Sequence, residues 1–277
     1  MLIQKITTSL LVTALTVIYV LLAINVQRLP RGKIIEEMQI ALPRPIQIGL
    51  AFGDSNLAAN FAALRALVAN NFNMNAAQFA VLARVQEDVS AFNPAHEDNY
   101  YIATAILPWE GQLKSSQIIL QRARISRPYD YQPALYEAIN TYHFMKDAAT
   151  ASNILITASS QITDANNQIA MLNLAARWSE KGYTPDTAEK IVIAMAKQSN
   201  NPEFKKYLLI RASRLKTLQK LQHAALTYSV KNKLKAKSFN DLLQSGLIES
   251  LPNDPFGFGY IIDHNGVPQL LNKKSPS

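Results

Sequence analysis

From about Asn56 to Asn200 the apolar residues return at three- and four-residue steps, in blocks of roughly 14 to 18 residues separated by Pro, Gly, Asn or Asp clusters. No alternation of strands with helices runs through this span, so its buried surface has to be made by helices packed on helices. The pattern predicts helices over residues 56–70, 76–91, 97–109, 112–125, 132–145, 148–159, 166–181 and 185–197, and a longer one over 203–235. Composition agrees. With 48% hydrophobic residues the chain has enough apolar surface for a buried core, and only 9 Gly and 17% charged residues accompany runs of Ala, Leu, Gln and Asn that favour close-packed helix.

Laid over one another, the helix pairs between Glu97 and Asn200 repeat with a period near 35. The first pair carries Tyr100, Ala103, Leu107, Gly111, Leu120, Ala123 and Pro128. At the same spacing the second carries Leu135, Ala138, Tyr142, Ala151, Leu155 and Ala158, and the third Met171, Leu174, Trp178, Gly182, Ile191 and Ala194. Small residues let helices approach, an aromatic fills the gap between successive pairs, and Gly permits a tight turn. This alternation resembles the tetratricopeptide repeat. The likeness departs at Lys146, where the second pair would place its turn Gly, and at Ser116 and Thr187, where the first and third would place Ala. It implies an all-α chain, a solenoid of paired antiparallel helices over residues 55–200, whose first helices line a concave face that binds partner proteins.

Carried over position by position, that face would hold Tyr101, Ala105 and Trp109 from the first pair and Tyr136, Asn140, His143 and Phe144 from the second. Leu172, Ala176 and Glu180 would come from the third. Aromatic side chains with one polar edge suit such a surface because they bury much area and keep a hydrogen-bonding group.

The two ends differ from this body. From Ile6 to Val26 there are 21 residues without a charge, enough at about 1.5 Å per residue to span about 30 Å of hydrocarbon. Residues 1–28 are therefore read as a transmembrane anchor. Lys5 lies on one side and Arg28, Arg31 and Lys33 on the other, a balance slightly favouring a cytoplasmic body. Residues 29–54 read as a linker with a short amphipathic helix around Ile34, Ile35, Met38 and Ile40, ended by Pro43 and Pro45.

Residues 201–277 read as a long basic helix followed by a turn-rich segment. Ser238 caps a short helix that Gly246 ends, and Tyr260-Ile261-Ile262 faces Gln269-Leu270-Leu271 across Asn265-Gly266 as a small hairpin. The segment Pro252-Asn253-Asp254-Pro255-Phe256-Gly257 ahead of that strand is similar to the tail of some bacterial envelope proteins built from one anchor and tetratricopeptide-like helices. That likeness implies a single-pass protein of the bacterial inner membrane with a periplasmic body.

Charge is concentrated in the long helix. The chain's net charge is +8, with a pI near 9.5. Between Glu203 and Lys237 stand Lys205, Lys206, Arg211, Arg214, Lys216, Lys220, Lys231, Lys233, Lys235 and Lys237, with Glu203 the one acid. Leu208, Ala212, Leu215, Leu218, Leu221, Ala225 and Tyr228 give the same helix an apolar stripe. The basic face suits an acidic subunit or anionic lipid headgroups better than nucleic acid, for which there is no reading motif.

Catalytic signals are sparse. Phe52-Gly53-Asp54-Ser55-Asn56 resembles the nucleophile block of GDS-type serine esterases, with Ile46, Ile48 and Leu50 able to supply the preceding strand. The bland alternative is that Asp54 or Ser55 caps the next helix. The only late histidine, His264, stands beside Asp263 inside the hairpin. His96, His143, His223 and His264 are scattered, and there is no HExxH pair, Walker loop, dinucleotide fingerprint or EF-hand loop, so no metal or nucleotide cofactor is expected. With no Cys, disulfides and thiol chemistry are excluded. The expectation is a membrane-anchored scaffold or accessory subunit of an integral membrane complex, not an enzyme. Its alternatives are a membrane-bound hydrolase using Ser55 and a peripheral module binding anionic lipid.

Overall fold

The computed structural model describes residues 12–22, 24, 38–69 and 71–271. The described part of α1 covers residues 12–22. It is followed by α2 (Arg44–Leu50), α3 (Ser55–Val68), α4 (Ala76–Phe92), α5 (Glu97–Ile106), α6 (Leu113–Ser126) and α7 (Tyr131–His143). Then come α8 (Ala148–Ser159), α9 (Ala165–Gly182), α10 (Pro185–Gln198), α11 (Pro202–Asn232) and α12 (Phe239–Gln244). Strands β1 (Tyr260–Ile262) and β2 (Pro268–Leu270) form an antiparallel pair with Tyr260 opposite Leu270.

The starts of most body helices are written locally. Asp54, Asn75, Asp130, Asp147, Asp164, Thr184 and Asn201 each stand at an N-cap and accept a backbone N–H of the first turn, satisfying donors that the helix leaves free. Asn75 and Gln78 exchange these bonds as a reciprocal box.

From α2 to α11 the principal contacts join each helix to its neighbour or next neighbour, as in a progressive stack. One core runs from α3 to α6 around Leu82, Tyr100, Leu107 and Leu120. A second runs from α7 to α11 around Leu155, Met171, Trp178 and Leu208. Ala103, Ala134, Ala138, Ala151, Ala175 and Ala188 are fully buried, and each brings two helix backbones together at small cost in side-chain entropy. Tyr142 and Trp178, at matching offsets in successive pairs, stack with ring centroids 4.6 Å apart and planes 7° from parallel.

Several expectations are corrected. The uncharged stretch 6–26 does not stand as a transmembrane anchor: among the described residues no helix is long and apolar enough to cross a membrane. Of that stretch, residues 6–11, 23, 25 and 26 lie outside the described residues. So does most of the expected amphipathic helix around Ile34, while residues 38–40 are turn and coil.

Pro43 and Pro45 start a helix instead of ending one. Pro43 is the N-cap of α2 and Pro45 lies in its first turn, where the missing N–H costs nothing. Ile46, Ile48 and Leu50 consequently lie in α2, and the strand expected ahead of Ser55 is replaced by helix. The carboxylate of Asp88, fully buried on α4, fixes α2 by accepting from Arg44 Nε at 2.6 Å and Gln47 Nε2 at 2.8 Å.

Gly182 does not supply a left-handed turn. A Cβ there would lie 2.3 Å from the backbone nitrogen of Ala149, so its role is to let the end of α9 touch the start of α8. The left-handed turn position in the second pair is filled by Lys146, at φ 58°.

Candidate partner-binding surface

The expected concave residues separate into three environments. Tyr101 and Tyr136 are half-buried and meet edge-on at 6.0 Å, while the Tyr101 hydroxyl hydrogen-bonds Gln132 Oε1. Beside them Tyr100 is fully buried and donates its hydroxyl to Asp130 at 2.8 Å. Burial, followed by that bond, pushes the Tyr100 phenol far above its ordinary range, so it stays a neutral donor. Asp130 also caps α7 and pairs with Arg127 at 2.9 Å, so this cluster ties α5 to α7.

Asn140 is no part of an open face. It is buried, and its Nδ2 donates to Ser116 Oγ at 3.2 Å and Gln117 Oε1 at 3.3 Å, joining α7 to α6.

Trp109, His143 and Phe144 form the third environment, an aromatic patch where the turn after α5 meets the end of α7. Trp109 stands edge-on to Phe144 at 4.9 Å and 5.7 Å from the His143 ring. It is nonetheless 66% exposed, and neighbouring Met145 is 54% exposed. These side chains are held by one another and still present apolar surface to solvent.

On α9 the carried-over positions separate, and of the three Glu180 alone reaches the groove lined by Tyr142 and Trp178. Ala176 is fully buried, Leu172 lines a hollow against α8, α10 and the start of α11, and Glu180 is engaged by Arg211. Leu174, Arg177, Trp178 and Lys181 instead share one face, at steps of three and four residues. They line a groove of about 540 Å³ with Tyr142, Arg211 and, from the hairpin, Gln269 and Leu270. Lys181 Nζ donates to the Tyr142 hydroxyl at 2.6 Å and lies over its ring, while Arg177 is exposed. The sequence signal for this face was the pair Arg177 and Lys181, four residues apart and flanking Trp178.

The basic helix also divides. Lys205, Lys206, Lys216 and Lys220 are exposed along α11, as are Lys231, Lys233, Lys235 and Lys237 at and beyond its end. Arg211 and Arg214 are buried. Arg211 grips both carboxylate oxygens of Glu180, at 2.7 and 2.5 Å, and donates to the Tyr207 hydroxyl at 2.6 Å. Desolvation works against its charge, but the Glu180 carboxylate more than offsets it, and the guanidinium is held above its usual range.

Arg214 pairs with Asp254 at 2.9 Å, with side chains 3% and 1% exposed, and donates to the Leu271 carbonyl at 2.8 Å. Asp254 in turn accepts the backbone N–H groups of Phe256, Phe258 and Gly259. The rings of Phe256 and Phe258 each lie 5.7 Å from the Arg214 guanidinium. The Pro-Asn-Asp-Pro-Phe-Gly segment is thus a clamp that fastens the tail to α11, and the two arginines belong to it instead of to a contact face.

At the candidate nucleophile, Ser55 opens α3 behind Asp54, whose Oδ1 accepts from the N–H of Asn56 at 2.8 Å and of Leu57 at 3.2 Å. His264 sits in the hairpin turn with its ring 3.1 Å from Asn265 Nδ2, and Asp263 is occupied by the turn's own N–H groups. No protein-family model, curated protein or solved structure matches the chain.

Proposed function

We infer that this protein is a helical scaffold of tetratricopeptide-like pairs that binds another protein through the Trp109, His143 and Phe144 patch. The observation that carries the reading is a tryptophan two-thirds exposed yet in contact with two other rings where the turn after α5 meets the end of α7. Such a side chain loses little entropy on binding and buries a large area, which is how interface anchors work. Placing a photo-crosslinking phenylalanine analogue at Trp109 in living cells should give a discrete adduct that His143→Ala and Phe144→Ala together abolish. The same analogue at Val230, 75% exposed on α11, should give no such band. Equal labelling from both positions, or none from Trp109, overturns the reading.

The lysine face favours a second reading, contact with anionic lipid headgroups. Eight exposed lysines remain once Arg211 and Arg214 are assigned to the clamp. Each cation near such a surface contributes about 1 kcal/mol. Flotation of the protein with vesicles containing phosphatidylserine, but not with neutral vesicles, would support it, and failure to float with either removes it.

A further inference from the structure

Between α3, α4 and α5 lies a cavity of about 180 Å³, distant in the chain from the clamp and separate from the aromatic patch. Its walls are apolar: Ala63, Leu64 and Leu67 from α3, and Ile102 from α5. Leu64 and Leu67 are more than half exposed and mark its mouth. Five polar residues also line it, Asn60, Gln86, His96, Asp98 and Asn99, and of these Gln86, His96 and Asn99 carry buried atoms without a hydrogen-bond partner. Gln86, fully buried, has neither amide atom satisfied; Asn99, 3% exposed, leaves Oδ1 free; His96 leaves Nδ1 free. The Asn99 amide is oriented by its Nδ2, which donates to the Gln86 backbone carbonyl at 3.0 Å. Leaving several such atoms unpaired in one place is costly, and a fold that retains them needs a reason.

We propose that this cavity binds an aromatic ring bearing one hydroxyl group. The volume suits a single six-membered ring, since an apolar cavity of about 150 Å³ takes benzene. The polar atoms choose the substituent. Gln86 Nε2 needs an acceptor while Gln86 Oε1 and Asn99 Oδ1 each need a donor, and one hydroxyl can accept from the first and give its single proton to one of the other two. An indole N–H only donates and an ammonium only donates, so each would leave the Gln86 amide nitrogen orphaned. A carboxylate would only accept, and it would meet Asp98 in the cavity wall. The ring can arrive as a free small phenol or as the tyrosine side chain of another protein.

The test is amide-resolved NMR titration of the intact protein with p-cresol, toluene and N-acetyl-tyrosinamide. p-Cresol should shift resonances in residues 60–67 and 96–102 and bind about tenfold more tightly than toluene, the margin set by the hydroxyl's bonds. Gln86→Leu should bring p-cresol down to the level of toluene. Should that variant fail to fold, Ala63→Met, which fills the cavity from its half-buried wall, should abolish both shifts. Binding of N-acetyl-tyrosinamide as well as p-cresol identifies a protein side chain as the source; binding of p-cresol alone identifies a free phenol. Equal affinity for toluene and p-cresol, shifts elsewhere, or binding that survives both substitutions would overturn the proposal.

Discussion

Asp254→Ala strips the carboxylate from the tail clamp and leaves the Arg214 guanidinium, only 3% exposed, without its counter-charge. Three backbone N–H groups lose their acceptor in the same step. Breaking one side of a buried pair costs about 3–5 kcal/mol, because the remaining charge stays desolvated. For a chain of this size the melting midpoint should fall by roughly 10 °C if the clamp and body unfold together. Urea titration followed by helical circular dichroism gives the free energy, and limited proteolysis shows whether the residues after α11 open first. Asp254→Asn, which keeps an acceptor oxygen, should fall between wild type and Asp254→Ala. The decisive comparison is the double variant Arg214→Met with Asp254→Leu. Since neither charge is then stranded, it should recover at least about 2 kcal/mol relative to the sum of the single losses. Additivity within about 0.5 kcal/mol would mean the two groups do not stabilise one another, and the clamp argument would fail.

Gly182→Ala should destabilise by about 1–3 kcal/mol in the same urea assay, because the new Cβ collides with backbone atoms of Ala148 and Ala149 that cannot swing away. Lys146→Gly should stabilise by up to about 1 kcal/mol, relieving a left-handed residue at φ 58°; an unchanged midpoint would refute strain there. Acid sensitivity follows from Asp147, Asp241 and Asp263, whose carboxyls are held below the usual range chiefly by the backbone N–H groups of Thr150, Lys237 and Val267. A depressed folded value means stability that is complete above the unfolded value of about 3.9 and lost as pH falls through the folded value. The urea midpoint should therefore drop below about pH 4, and by less in the triple Asp→Asn variant.

Where the sequence carried its own local chemistry, the fold was legible. Helix starts followed from Asp, Asn and Thr at caps, and the β-hairpin from Asn265-Gly266, with β2 displaced by one residue from the expected 269–271. The missing turn Gly at 146 correctly marked a position whose backbone is left-handed all the same. Long-range partners were not legible. Arg211 and Arg214 looked like members of a solvated basic run because Glu180 lies 31 residues before one of them and Asp254 lies beyond the end of the helix. Asn140 looked like a groove residue because nothing local reveals that Ser116 and Gln117 would receive it. On α9 the repeat offset placed Leu172, Ala176 and Glu180 inward, but packing against α8 and α11 buried Ala176, turned Leu172 to another hollow and brought Leu174, Arg177, Trp178 and Lys181 to the groove beside Glu180.

That division of the basic run bears on what the molecule can recognise. Guanidinium groups can make planar, bidentate contacts; Arg211 spends that capacity inside the protein on both oxygens of Glu180, and Arg214 is buried against Asp254 and the Leu271 carbonyl. What the basic run presents to solvent is its lysines, a set of strongly hydrated point charges whose attraction fades over a Debye length of about 8 Å at physiological salt. The Trp109, His143 and Phe144 patch works through area and shape, which salt does not screen. On the proposed readings, a partner held mainly by the patch will stay bound as ionic strength rises, while attachment through the α11 lysines will weaken steeply, so one salt series separates the two proposed contact modes.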